Sequence, residues 1–226
     1  MAVNIGNYLK ITEELKPQQA TLVAVSKTKP VADIQELYDL GQRDFGENYV
    51  QELIEKQVVL PNDIRWHFIG HLQSNKVKYI APFVHLIHGV DTHKLLLEID
   101  KQAQKFNRTI QCLLQVHIAR EETKFGFNEQ ELLEAMDAIH KYKLMNELQQ
   151  VEVVGLMGMA SLTADGDQVQ KEFKYLKLLF DQCAQLPGQS GINTLSMGMS
   201  NDYQLAIEEG STLVRIGSLL FGTRQP

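Results

Sequence analysis

Short apolar runs alternate with amphipathic stretches along almost the whole chain. The runs are TLVAVS, RDFGEN, IRWHFIG, VHLIHGV, TIQCLLQVHI, VEVVGLMGMA, NTLSMGMS and STLVRIGS. Between them lie ADIQELYDLG, NYVQELIEKQ, LQSNKVKYIA, THKLLLEIDKQAQKF, EQELLEAMDAIHKYK, DQVQKEFKYLKLLFDQCAQ and NDYQLAIEEG. Apolar residues in these stretches recur every three or four positions, as at Leu132, Leu133, Met136 and Ile139, or Phe173, Leu176, Leu179 and Phe180. That spacing predicts helices with one buried face. Gly41 and Gly210 stand where helix C-caps are expected. A further short helix is expected over residues 5–15.

Strands alternating with helices predict a parallel sheet. Eight such units predict a compact, closed (β/α)8 TIM barrel, an α/β fold. An open doubly wound sheet is the rival, but it more often carries five to seven strands and a glycine-rich first turn. The first turn here is SKTKP, which has no glycine. No linker-like or low-complexity tract interrupts the chain, so one domain over residues 1–226 is expected. SLTADGDQ and PGQSGIN read as surface loops.

Composition narrows the function. A chain of 226 residues can bury a substantial core, and 44% hydrophobic with 22% charged residues is ordinary for a globular protein. The formal charge of -6, with no basic cluster, argues against a nucleic-acid partner. Cys112 and Cys183 form no CxxC pair, which fits a reducing compartment. The N-terminus lacks the pattern of a secretory signal, and no apolar run is long enough to span a bilayer. A cytoplasmic protein without a membrane partner is the expectation.

In a (β/α)8 barrel the functional face lies at the C-terminal ends of the strands. Collecting the residues there gives Ser26-Lys27, Gly46-Glu47-Asn48, His67 to Gly70, Met157 to Met159, Ser196 to Ser200, and Arg215 to Ser218. The last two groups are rich in glycine and serine, at the loops where this fold commonly binds phosphate through backbone N–H groups and hydroxyls. Lys27 ends an apolar run, a costly place for an amine that has no task. An amine opposite a phosphate cradle suggests a phosphorylated carbonyl compound held as a Schiff base. Arg215, inside LVRIGS, demands a partner, and a structural ion pair would supply one. Lys29 reads as exposed in its loop.

Other motifs carry less. His67 and His71 lack helical ligand geometry, His85 and His88 read as strand flanks, and no metal site is expected. The DGD of Asp165 to Asp167 reads as a turn or helix cap. GHLQSNK lacks the second glycine of a phosphate loop.

AVSKTKP, FGENYVQE, WHFIGHLQSNK, LSMGMSND and VRIGSLLFG, in this order, resemble the YggS/PROSC family of pyridoxal phosphate homeostasis proteins. That family looks like the barrel domain of bacterial alanine racemase standing alone. The resemblance implies pyridoxal 5'-phosphate as cofactor, with Lys27 forming the internal aldimine. It implies Ser200 on the phosphate, with Gly217 and Ser218 adding donors, and Arg215 facing the pyridine nitrogen. Asn48 and His67 match positions lining the cofactor pocket. An arginine there cannot accept a proton from the ring nitrogen, so carbanion stabilisation is weaker. Alanine racemases add a tyrosine from a second β domain. The sequence ends just past the eighth strand, so no second β domain is expected, and Tyr49 and Tyr203 match no catalytic position.

The leading expectation is a monomeric binding and regulatory protein. It holds pyridoxal phosphate, serves intracellular homeostasis of vitamin B6 and of amino and keto acids, and meets free amino acids and pyridoxal-phosphate-dependent apoenzymes as partners. A small racemase with Lys27 as one base is the first alternative. A cofactor-free barrel that captures a sugar phosphate on Lys27 is the second.

Overall fold

The first helix, α1 (Ile5–Leu15), starts where Asn4 accepts a hydrogen bond from the Asn7 N–H through its side chain. From there the computed structural model, which describes residues 3–121, 125–187 and 191–222, alternates strands and helices. The order is β1 (Thr21–Val25), α2 (Val31–Asp39), β2 (Asp44–Glu47), α3 (Val50–Val59), β3 (Arg65–Phe68), α4 (Val77–Ile80), β4 (Leu86–Val90) and α5 (His93–Lys105). It continues with β5 (Ile110–Val116), α6 (Glu129–Leu144), β6 (Val151–Gly158), α7 (Gly166–Ala184), β7 (Thr194–Met199), α8 (Tyr203–Glu208), β8 (Leu213–Ile216) and α9 (Ser218–Phe221). The strands pair in chain order, all parallel, and β8 closes on β1. This is the (β/α)8 barrel that the alternating pattern predicts.

One expectation needs correction. The helix expected over LQSNKVKYIA is reduced to a 3-10 turn at Ser74–Lys76 and the single turn of α4. In PGQSGIN, residues 188–190 lie outside the described residues, as does the chain end at 223–226. The helix-ending glycines are as expected: Gly41 at φ 102° and Gly210 at φ 90° follow α2 and α8. Among the described residues, no helix is long and apolar enough to cross a membrane.

The main core lies between strands and helices, where Phe45, Phe68, Ile87, Phe173 and Leu176 are buried. Successive strand residues point to opposite faces, so alternate positions fill the barrel lumen. On one side the lumen is apolar: Val23, Leu86, Leu113, Val154, Met157 and Leu213 form their own cluster. Through the rest of it runs a polar column of Asp44, His67, His88, Ser196 and Arg215, all buried. Buried polar groups are tolerable only when hydrogen-bonded to one another. These are.

Candidate functional site

A cavity of about 720 Å³ opens at the C-terminal ends of the strands. Lys27, Asn48, Ser200, Arg215, Gly217 and Ser218 all line it, between apolar walls that include Val25, Ile69, Met159 and Leu205. An apolar cleft with a few convergent polar groups is the usual form of a small-molecule site. Of the residues singled out by sequence, His67 is absent from this lining. It sits deeper in the lumen, bonded to Asp44 and His88.

The amine side is built on a strained turn. Ser26 to Lys29 close it through the Lys29 N–H to Ser26 carbonyl bond at 3.0 Å, with Thr28 at φ 64°. A β-branched residue rarely adopts that backbone, and such strain persists only where the surroundings hold it. They hold it from both sides of Lys27. The Lys56 ammonium of α3 donates to the Ser26 carbonyl at 2.8 Å, and the Glu52 carboxylate accepts from the Thr28 N–H at 2.5 Å. Lys56 also bonds Glu47 at 2.7 Å and Glu52 at 2.6 Å, and the Ser26 hydroxyl donates to Glu47 at 2.6 Å. Burial pushes the Glu47 carboxyl above its usual range, against the pull of Lys56. Lys29 departs from the exposed reading: its ammonium donates to the Phe221 carbonyl at 2.7 Å, tying this turn to the end of α9.

The rim after β7 and β8, next to the end of β1, is built differently. Gly198 at φ 94° lies within a register shift of β7 against β8, packed where a Cβ would meet α8. Beyond it the Met199 N–H donates to Asp202 at 2.6 Å, which shapes the Ser200-Asn201 turn. The Gly217 N–H donates to the Ser200 hydroxyl oxygen at 3.3 Å, leaving that hydroxyl its own proton to donate. A side chain at Gly217 would crowd Val25 at 3.3 Å. The result is an anion-compatible rim of small residues.

Arg215 forms the polar floor. Its guanidinium donates to the Ser196 carbonyl at 2.9 Å, to the Ser196 hydroxyl, and to the Gly158 carbonyl at 3.1 Å. These bonds engage its donors. Burial lowers its pKa to about 10, while the Asp202 carboxylate favours its charge. Below Arg215, the Ser196 hydroxyl meets His88 at 3.0 Å, His88 meets His67 at 2.9 Å, and His67 meets Asp44 at 3.0 Å.

Comparison with known proteins matches residues 5–225 to the model of the alanine racemase N-terminal domain. The chain belongs to that family. It is 43% identical over 207 residues to the pyridoxal phosphate homeostasis protein of Aquifex aeolicus, covering 91% of this chain and 88% of that one. It is 37% identical over 218 residues to the protein of the same name in Schizosaccharomyces pombe, covering 95% and 89%. The structure of PipY of Synechococcus elongatus with PLP bound superposes at a TM-score of 0.85 with 36% identity, covering 96% of this chain and 99% of that one. Alanine racemase of Bartonella henselae shares the fold, at 19% identity and a TM-score of 0.71. This chain spans 57% of that racemase.

In this member of the alanine racemase N-terminal domain family, the β6–α7 segment is more than the surface loop its polar composition suggests. Met159 to Ala164 wall one side of the cavity. Glu172 of α7 pins that wall by accepting from the Ser161 N–H at 2.7 Å and its hydroxyl at 2.8 Å. Asp165 of the DGD caps α7 by accepting from the Gln168 N–H, in line with the cap reading. Neither Tyr49 nor Tyr203 lines the cavity. Tyr203 is buried against α1, donates to Glu14 at 2.6 Å and is pushed up to about 12 by burial and that bond. Asp44, His67 and His85 have ligand atoms within 4.8 Å of one another, the spacing of a possible metal trio. The Arg65 guanidinium, however, already pairs with both Asp44 oxygens.

Proposed function

We propose that this chain binds pyridoxal 5'-phosphate through Lys27 and serves the intracellular homeostasis of vitamin B6 and of amino and keto acids. One observation carries the reading: a single cavity is lined by Lys27, by the serine–glycine turns after β7 and β8, and by Arg215. The residues also fit the cofactor in an independent way. The Asn48 side-chain oxygen is buried with no hydrogen-bond partner, so it is an acceptor that a ligand donor would satisfy. Gly70 allows Asn48 to sit there, because a Cβ on it would meet the Asn48 carbonyl oxygen at 2.4 Å.

Bound pyridoxal phosphate supplies an aldehyde and a conjugated ring. Lys27 would hold the group through that aldehyde. Ser200, Gly217 and Ser218 would hold the phosphate. Arg215 would face the ring nitrogen, and it has no lone pair with which to hold a proton there. The chain therefore binds its cofactor without strengthening the ring as an electron sink, which suits storage and delivery better than turnover. Buried Cys112 and Cys183, both free thiols, fit action in the cytoplasm. We infer that the protein acts as a monomer, releasing cofactor to apoenzymes and to free amino acids.

Purified protein with added pyridoxal phosphate should show a near-visible absorption band that Lys27→Ala abolishes. A colourless wild-type protein overturns the proposal. Steady conversion of an amino acid beyond one equivalent, lost in Lys27→Ala, would replace the binding role with an enzymatic one.

A further inference from the structure

Hydrogen bonds link the polar column beneath the cavity without a break from Arg215 to Asp44. Arg215 has donors only, so the Ser196 oxygen accepts from it. At the far end the Asp44 carboxylate is ionised: burial raises it, but bonds from His67 and Arg65 outweigh that and hold it at about 2. Asp44 therefore accepts, and His67 must carry its proton on Nε2. In the arrangement inferred below, His67 Nδ1 is bare and accepts from the Nε2–H of His88. His88, fully buried and held well below its ordinary value chiefly by burial, then has a bare Nδ1 that accepts the Ser196 hydroxyl proton. In this arrangement all four bonds run the same way, from Arg215 to Asp44.

The column spans the barrel. Asp44, Arg65 and His67 border a second cavity of about 310 Å³, lined also by Thr21, Asn193 and Leu213 from the starts or N-terminal sides of their strands. There Arg65 closes the chain by donating to Asp44 at 2.7 Å. Hydrogen bonds in series inside a low-dielectric lumen polarise one another, so an anchor at one end is felt at the other.

We infer that His88, acting through Ser196, and His67, acting through His88, are positioning residues for Arg215. The unidirectional chain anchored on the Asp44–Arg65 pair at the opposite end of the barrel fixes the guanidinium against the cavity floor. A shared histidine tautomer is its signature. Losing the chain would leave the Ser196 hydroxyl free to rotate and the guanidinium held by the Ser196 and Gly158 carbonyls without that hydroxyl. This rests on the cavity being the pyridoxal phosphate site, and the test separates the two.

Long-range proton–nitrogen NMR of the protein without cofactor should show, at neutral pH, two neutral histidines protonated on Nε2 and joined by a hydrogen bond. Assignment by His67→Gln and His88→Asn should place them at these positions. A cationic His88, or an Nδ1–H tautomer at either residue, overturns the inference, and neither measurement needs the cofactor to bind. With pyridoxal phosphate, His88→Leu should weaken binding about tenfold, the worth of one well-made hydrogen bond, and move the absorption maximum. His88→Asn, which keeps an acceptor for Ser196, should recover most of that affinity and the wild-type maximum. Wild-type affinity and spectrum in a folded His88→Leu protein would refute the inference. Failure of the wild-type protein itself to bind would count against the cofactor site instead.

Discussion

The two sides of the cavity solve the same problem with opposite materials. Lys27 is held by a buried charge network, Lys56 with Glu47 and Glu52, that clamps the backbone on either side of it. The rim beside it, after β7 and β8, is assembled from Ser200, Gly217 and Ser218, with one side-chain carboxylate, Asp202, shaping the turn behind. The difference follows from what each side must hold. A nucleophilic amine needs one fixed trajectory, and the turn that aims it is strained, so rigid partners must oppose that strain. An anion is satisfied by several modest donors, and small residues let backbone N–H groups approach it. Damage to the first side should therefore cost the fold, and damage to the second should cost affinity.

The largest effect is expected from Lys56→Met. It strands two carboxylates in a buried site, a loss of about 3 to 5 kcal/mol, or roughly 10 °C in Tm for a chain of this size. The loss should depend on pH. The Glu47 carboxyl is already raised by burial. A raised carboxyl contributes stability that is full below its unfolded value and lost as pH rises through its folded value. The deficit should thus be greatest at alkaline pH and shrink on acidification, as thermal melts would show. A pH-independent loss would mean that the network is not electrostatic.

On the other side, Ser200→Ala should leave the melting temperature within about 1 °C, yet weaken pyridoxal phosphate binding about 10- to 100-fold, the worth of a hydrogen bond to a charged group. A titration by absorbance or fluorescence would measure this. Unchanged affinity would remove Ser200 from the anion rim. The smallest effect sharpens the strain argument. Thr28→Gly relieves a left-handed β-branched residue worth about 1 to 2 kcal/mol, and offsets part of that gain with about 0.5 to 1 kcal/mol of chain entropy. A melt should show stability unchanged or raised by up to about 1 kcal/mol. A clear loss would mean the turn is not strained.

Much of the molecule is legible from sequence, for physical reasons. Strands covered on both faces are apolar enough to stand out one by one, and helices betray themselves by period. Lys27 and Arg215 are visible because a charge that ends or interrupts an apolar run is expensive. His67 was legible only as a strand-end residue, and His88 only as a strand flank. Their pairing depends on the registers of β3, β4 and β7, which no local pattern encodes. The network around Lys56 was hidden for a similar reason: on an amphipathic helix a buried lysine looks like any solvated one. SLTADGDQ reads as a surface loop because its composition is polar, and only Glu172 gripping Ser161 shows it as a cavity wall. Lys29 gave no sign that it reaches Phe221.

The most direct test is chemical trapping. Wild-type protein loaded with pyridoxal phosphate, reduced with borohydride, digested and analysed by mass spectrometry should carry the pyridoxyl group on Lys27. The group appearing instead on Lys29 or Lys56, or on no lysine at all while the protein remains folded, would contradict the account.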